Sequence, residues 1–203
     1  MWSYIIAIIC VLPYAKGETR VAIAHLQSQQ SVTGQIEFTE SAKGLHIQGV
    51  IVGLPPGAYG FHVHEFGDVR PGCNEAGRHF NPEGSTHGGR ESKVRHVGDL
   101  GNVLFVNRQG ASATVDIEDS ILTLRGVNNI LGRSLVLHQN QDDLGLGGNA
   151  TSLTTGNSGP RIACGVIGLK SPTEPWNAAG SIAPSVLLFI TSLTLFTLRW
   201  KLL

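Results

Sequence analysis

Along the middle of the chain, the apolar and polar positions form short β-rich runs separated by clusters of glycine and other turn residues. Seven such runs, residues 20–26, 32–39, 45–52, 59–64, 102–106, 113–117 and 134–138, predict strands. In Gln35-Ile36-Glu37-Phe38 the alternation is strict, as in a strand with one wet face. Gly53-Leu54-Pro55-Pro56-Gly57 reads as a tight turn. No run of helical length carries a 3.6-residue period. Seven or eight strands so spaced predict an all-β fold, an antiparallel Greek-key sandwich or flattened barrel. Two stretches, 67–98 and 142–159, are long and rich in Gly, His, Asp and Asn, and they predict functional loops. Bound metals and a cross-link are what can order such polar loops, because apolar burial cannot.

The ends have a different pattern. Residues 2–12 are apolar apart from Ser3, and Ala15-Lys16-Gly17 follows with small residues around a cleavage point. This predicts a signal peptide, residues 1–17, and a mature chain starting at Glu18; a transmembrane anchor would need a longer span. Residues 18–172 then form one domain, since a chain of that length buries one core well and two poorly. Residues 173–181 read as a linker and 182–203 as a hydrophobic tail. The small residues Asn177, Ala178, Ala179, Gly180 and Ser181 precede the apolar stretch 186–198, and Arg199 and Lys201 follow it. That arrangement favours a glycosylphosphatidylinositol anchor over a single membrane span, with the domain outside the cell in either case.

Charge and cysteine content refine this picture. The chain has 15 basic and 15 acidic residues, and Lys16, Arg199 and Lys201 lie in the ends, so the middle is mildly acidic. With no basic stripe, nucleic acid is excluded as a partner. Removal of the leader takes Cys10 and leaves Cys73 and Cys164. In an oxidising compartment the natural reading is one disulfide, the alternative being two reduced core thiols.

Six of the eight histidines, His62, His64, His79, His87, His96 and His138, lie at strand ends or in the polar loops. Alternation puts His62 and His64 on one face of a strand, with Val63 turned toward the core. His79, His87, His96 and Asp99 follow among Asn-Pro and Gly-Gly turns, and three imidazoles with one carboxylate suit tetrahedral zinc. His62, His64 and His138 would hold a second ion, for which all-imidazole ligation favours copper(II). His25 and His46 fall on predicted strands outside this group.

The run Gly60-Phe61-His62-Val63-His64-Glu65-Phe66-Gly67-Asp68 resembles the copper/zinc superoxide dismutase signature. Gly77-Arg78-His79-Phe80-Asn81-Pro82, His87-Gly88-Gly89, Arg95-His96-Val97-Gly98-Asp99-Leu100-Gly101-Asn102, Gly132-Arg133-Ser134-Leu135-Val136-Leu137-His138, Asp142-Asp143-Leu144-Gly145 and Ala163-Cys164-Gly165-Val166-Ile167-Gly168 continue the resemblance in family order. It implies an extracellular or cell-surface enzyme that dismutes superoxide to oxygen and hydrogen peroxide, with copper and zinc as cofactors. It implies copper on His62, His64, His79 and His138, and zinc on His79, His87, His96 and Asp99. His79 would bridge the ions and carry a proton, Asp142 would couple the two positions from behind the ligands, and Arg161 would draw in the anion. A Cys73–Cys164 disulfide and a homodimer are implied in the same way. The alternative is a non-enzymatic copper-delivery or metal-binding domain of the same superfamily. A third reading, an adhesion module, leaves the metal-type ligands idle. Two features depart from the family pattern. The loop after Asp142 is neutral through Thr155 apart from Asp143, so weak steering of superoxide is expected. Asn149-Ala150-Thr151 is a glycosylation sequon on that loop.

Overall fold

The computed structural model describes residues 18–28, 31–70, 72–107 and 111–172. Eight strands close into one antiparallel barrel: β1 Val21–Gln27, β2 Thr33–Ser41, β3 Gly44–Val52, β4 Gly57–His64, β5 Asp99–Asn107, β6 Ala111–Asp119, β7 Ser134–His138 and β8 Arg161–Ser171. Their order around the barrel is β1-β2-β3-β6-β5-β4-β7-β8, with β8 returning to β1. The departure from chain order at β3-β6 and β4-β7 is the Greek-key crossing. Alternation does place the strands: β1 buries Ala22, Ala24 and Leu26, and β3 buries Leu45, Ile47 and Ile51. β8 has no counterpart among the seven runs, because Gly165 and Gly168 interrupt its apolar positions. One barrel end is filled by Leu122, Leu124 and Ile130 from the β6–β7 connection, all fully buried.

β4 and β7 pair in the register Phe61↔Leu137, His62↔Val136, Val63↔Leu135 and His64↔Ser134. Phe61, Val63, Leu135 and Leu137 belong to the core cluster inside the barrel. His62, His64, Val136 and His138 therefore face outward, yet all four are buried. The β4–β5 and β7–β8 connections cover them. A short 3-10 turn, Asn74–Ala76, and a four-residue helix, α1 Ser152–Thr155, are the helical pieces of these covers. Cys73 and Cys164 are joined, with a Cα–Cα distance of 5.9 Å, and pack with Ala76 and Val136 in a small cluster of their own outside the barrel. The bridge pins the β4–β5 cover to β8.

The structure corrects the membrane partner expected from the tail. Among the described residues no helix is long and apolar enough to cross a membrane. A helical span requires about 20 apolar residues, whereas α1 has 4. The leader 1–17, the linker 173–181 and the tail 182–203 lie outside the described residues.

Replacing Cys73 and Cys164 together by serine tests how much the cross-link restrains the chain. The bridge spans 91 residues, for which loop-closure entropy gives about 4–5 kcal/mol. Denaturant titration of the double variant should show a loss of that order; an unchanged midpoint would mean that the unfolded chain is not restrained by the bridge.

Candidate metal centre

His62 and His64 stand two residues apart on β4, and strand register brings the other groups to them. Asp99, the first residue of β5, lies opposite His62, and His138, the last of β7, lies opposite Arg161 at the start of β8. The β4–β5 cover returns along the end of β4 through backbone hydrogen bonds: Phe80 N donates to Val63 O (2.8 Å), Val63 N to Gly98 O (2.9 Å) and Gly98 N to Phe80 O (2.9 Å). Only glycine fits at position 98, where a Cβ would lie 2.2 Å from Val63 O. Backbone pairing thus sets His79 and His96 beside β4 before any side chain contributes.

Each imidazole has one nitrogen tied back to the protein. His64 Nδ1 lies 3.1 Å from Gly77 O and His138 Nδ1 3.0 Å from Gly159 O. A carbonyl only accepts, so both Nδ1 atoms carry the proton and both Nε2 atoms present lone pairs. Those two Nε2 atoms face each other at 3.1 Å. His62 Nε2 lies 2.9 Å from Asp142 Oδ2, and His79 Nδ1 lies 2.9 Å from Asp99 Oδ1. Their opposite nitrogens, His62 Nδ1 and His79 Nε2, are buried without a hydrogen-bond partner. Facing lone pairs and orphaned nitrogens in one dry volume are the donor set of a cation site.

The second group forms around Asp99. Asp99 Oδ1 lies 2.9 Å from His79 Nδ1 and 3.1 Å from His96 Nδ1, and Asp99 Oδ2 lies 3.0 Å from His87 Nδ1. His87 Nδ1 makes no hydrogen bond despite that proximity. Asp142 spans the two groups, reaching His62 Nε2 through Oδ2 and His87 Nε2 at 2.7 Å through Oδ1. Ligand atoms of His62, His64, His79 and His138 all lie within 4.8 Å of one another, and so do those of His79, His87, His96 and Asp99. His79 belongs to both.

Further groups hold this centre. Asn102 grips the Asp142 backbone twice, Nδ2 to Asp142 O at 2.9 Å and Asp142 N to Oδ1 at 2.8 Å. Arg95 Nη1 donates to Asp99 O (2.7 Å) and Nη2 pairs with Asp119 Oδ2 (2.5 Å), with both side chains buried. Gly156 lies against Asp142 and His87 with φ +62, where a Cβ would lie 1.9 Å from Asp142 Oδ1. Arg161 Nη1 donates to Cys73 O (2.7 Å) and Asn74 O (2.8 Å), and Nη2 donates to Gly77 O. His25 and His46 stay outside both groups.

The electrostatics follow from burial. Burial first, then neighbouring imidazoles, pushes His62 and His64 well below the ordinary histidine value and His138 down to about 4. Burial also lowers His79, against the pull of Asp99. At His87 burial opposes the charged form, but the Asp142 carboxylate, which accepts from Nε2, and the nearby Asp99 carboxylate outweigh it and raise the ring to about 9. Burial likewise opposes ionisation of Asp99, yet three imidazoles hold its carboxyl far below the carboxylate range.

Residues 32–167 match the family described as copper/zinc superoxide dismutase (SODC). A Cu-Zn superoxide dismutase of Paramecium bursaria Chlorella virus 1 is 52% identical over 148 residues, covering 72% of this chain and 77% of the viral protein. A crystal structure of the clock protein EA4 is 48% identical, with a TM-score of 0.69, covering 73% of this chain and 93% of that one. The chain belongs to the copper/zinc superoxide dismutase family. The two bridged groups match the copper- and zinc-bridged centre of that family, so this superoxide dismutase uses copper and zinc and converts superoxide to oxygen and hydrogen peroxide.

The metal-free chain should lose stability on acidification. His62, His64, His79 and His138 bind protons less readily when folded than when unfolded. Their contribution is therefore intact above about pH 6.5 and falls as the unfolded chain takes up protons between about pH 6.5 and 4. His87, being raised, acts in the opposite sense: its contribution grows as pH falls from about 9 to about 6.5 and is constant below that, so the fall toward pH 4 belongs to the other four rings. Denaturation midpoints of metal-free protein from pH 7.5 to 4 would check this, and a flat profile would contradict it.

Proposed function

We propose that copper is held by His62, His64, His79 and His138 and zinc by His79, His87, His96 and Asp99, for the dismutation of two superoxide anions and two protons to oxygen and hydrogen peroxide. The observation that carries this reading is His79, whose Nδ1 is committed to the Asp99 group while Nε2 lies buried and unpartnered beside His62, His64 and His138. When bound, copper supplies one-electron redox cycling and zinc a fixed positive charge.

The chain supplies the rest. His64 and His138 keep their Nε2 lone pairs aimed inward because backbone carbonyls fix the opposite protons. Asp142 holds the His62 and His87 rings in one frame, so that neither ligand group can rotate independently. Arg161, held by three carbonyl oxygens and no carboxylate, keeps its full charge for the incoming anion. His79 Nε2 is the position from which a proton can pass to the departing peroxide.

We also propose that the mature chain starts at Glu18 outside the cell and carries a glycan on Asn149. The leader-like run before Glu18 and the exposed sequon support this, the latter with Thr151 Oγ1 donating to Asn149 Oδ1 at 2.7 Å. Peptide mass spectrometry of protein from culture medium should find Glu18 at the amino terminus and a glycosidase-sensitive mass on Asn149; an unmodified Asn149 peptide would refute the second part.

Metal analysis alongside a superoxide assay tests the ligand assignment. Wild-type protein should bind one copper and one zinc per chain and be active. Asp99→Ala should lose zinc while retaining copper-binding histidines, since Asp99 is the only carboxylate of its group. Arg161→Ala should keep both metals and slow the encounter by about tenfold or more. Zinc retained in full by Asp99→Ala, or copper lost from Arg161→Ala, would overturn these roles.

A further inference from the structure

Most cations on this domain that pair with a carboxylate do so at its surface: Arg70 with Asp68, Arg90 with Glu91, Arg125 with Glu40 and Lys170 with Glu37. Arg95 is the buried exception, with Asp119. Arg78 and Arg133 are different. Among the described residues no carboxylate lies within ion-pair distance of either, and both line one cavity of about 520 Å³ whose wall also includes His79 and His96. Arg161 does not line it and opens instead on a separate cavity beside Cys73 and Cys164.

Arg133 is fixed in place. Its guanidinium carbon sits 3.6 Å over the centre of the Phe80 ring, Nε donates to Asn129 O (3.0 Å) and Nη1 to Glu65 O (2.7 Å). Those partners orient the fork without neutralising it. Arg78, next in the chain to His79, has no side-chain hydrogen bond among the described residues, and only its backbone N approaches Glu65 Oε2, at 3.5 Å. The Glu65 carboxylate is the acidic group on the same wall, so two guanidiniums outnumber one carboxylate there. A cavity of this size is within the usual range for small-molecule sites and far exceeds what a diatomic substrate needs. Guanidiniums with an unneutralised fork match oxyanions of the phosphate or carboxylate type.

We propose that this cavity is a second oxyanion site, distinct from the Arg161 position, in which Arg78 and Arg133 receive a phosphate-type anion beside His79 and His96. The site is built from unpaired guanidiniums and a cavity, so it stands independently of the dismutase ligand assignment. An anion bound there would lie against the ring shared by both ligand groups and so couple anion concentration to the metal centre.

Calorimetric titration of the metal-loaded protein with inorganic phosphate at low ionic strength tests the proposal, with metal content measured for every variant. Saturable binding is expected in the wild type. Arg78→Gln should weaken it by about tenfold, and Arg78→Lys, which keeps the charge and loses the fork, by less. Glu65→Gln removes the opposing charge and should tighten binding a few-fold, a gain that a merely damaged fold would not produce. Arg161→Gln, which removes any binding at the Arg161 position, should leave the Arg78-dependent binding event within about twofold of wild type. No saturable binding in the wild type, equal binding in wild type and Arg78→Gln, or a loss confined to Arg161→Gln would each overturn the proposal.

Discussion

Six imidazoles packed into one dry volume on the outside of a barrel form an arrangement that water would not permit unless something fixed their protons. Two carboxylates and two backbone carbonyls do so. Asp99 faces His79, His87 and His96, and Asp142 faces His62 and His87. Buried carboxylates are costly to desolvate and are retained only where hydrogen bonds and opposite charge compensate. In this centre the compensation works in both directions: Asp99 stays ionised because three rings surround it, and the acids anchor one nitrogen each of His62, His79, His87 and His96, while backbone carbonyls anchor His64 and His138. What remains is a set of inward lone pairs that repel one another until cations are placed among them.

The barrel accounts for where this can happen. β4 and β7 have apolar side chains on their inner face and histidines on the outer, so the same strands serve the core through Phe61, Val63, Leu135 and Leu137 and the centre through His62, His64 and His138. A rigid sheet fixes His62, His64 and His138 to within the tolerance of strand pairing. His79, His87 and His96 come from a connection with little apolar content, and that connection is held by three other means. Backbone hydrogen bonds join Phe80, Val63 and Gly98, the Cys73–Cys164 bridge ties its start to β8, and Arg95 draws the carbonyls around Asp99 toward Asp119. Removing one partner from a buried pair such as Arg95–Asp119 leaves a charge without compensation, typically at about 3–5 kcal/mol. The cover therefore depends on its polar contacts as strictly as the core depends on packing.

How much of this is legible in the sequence varies with the distance over which the information acts. Alternation marks β1 to β3 and β6, which have one face toward the core, whereas β4 and β7 are buried on both faces where they pair and show only as short β-rich runs. β8 escapes because Gly165 and Gly168 replace the side chains that would show the period, and β5 begins earlier than its apolar run because Asp99 enters the ladder opposite His62 as a polar residue. The histidines and Asp99 are conspicuous as residue types. Asn102 and Asp119 are not, being an ordinary amide and an ordinary acid whose partners lie 40 and 24 residues away. Gly156 reads as a loop glycine until Asp142 and His87 are placed against it. The apolar tail is a case where local composition suggested a membrane partner without a helix among the described residues to support it.

The same contrast between oriented and neutralised charge extends to the arginines. A guanidinium held by a carboxylate has its field largely cancelled within a few ångströms, as for Arg95 on Asp119. A guanidinium held by carbonyl oxygens is just as well oriented and keeps its net charge. Arg161 is held in that way by Cys73, Asn74 and Gly77, and Arg133 by Asn129 and Glu65 carbonyls and the Phe80 face. The loop after Asp142 brings no cation of its own, and its acid, Asp143, is occupied by Ser152, Asn157 and Gly145. The cations Arg161 and Arg133 are thus anchored on backbone oxygens, and the loop after Asp142 adds none. Fixed donors of this kind need little reorganisation when an anion arrives, so what the neutral loop lacks in long-range attraction is offset at close range by geometry.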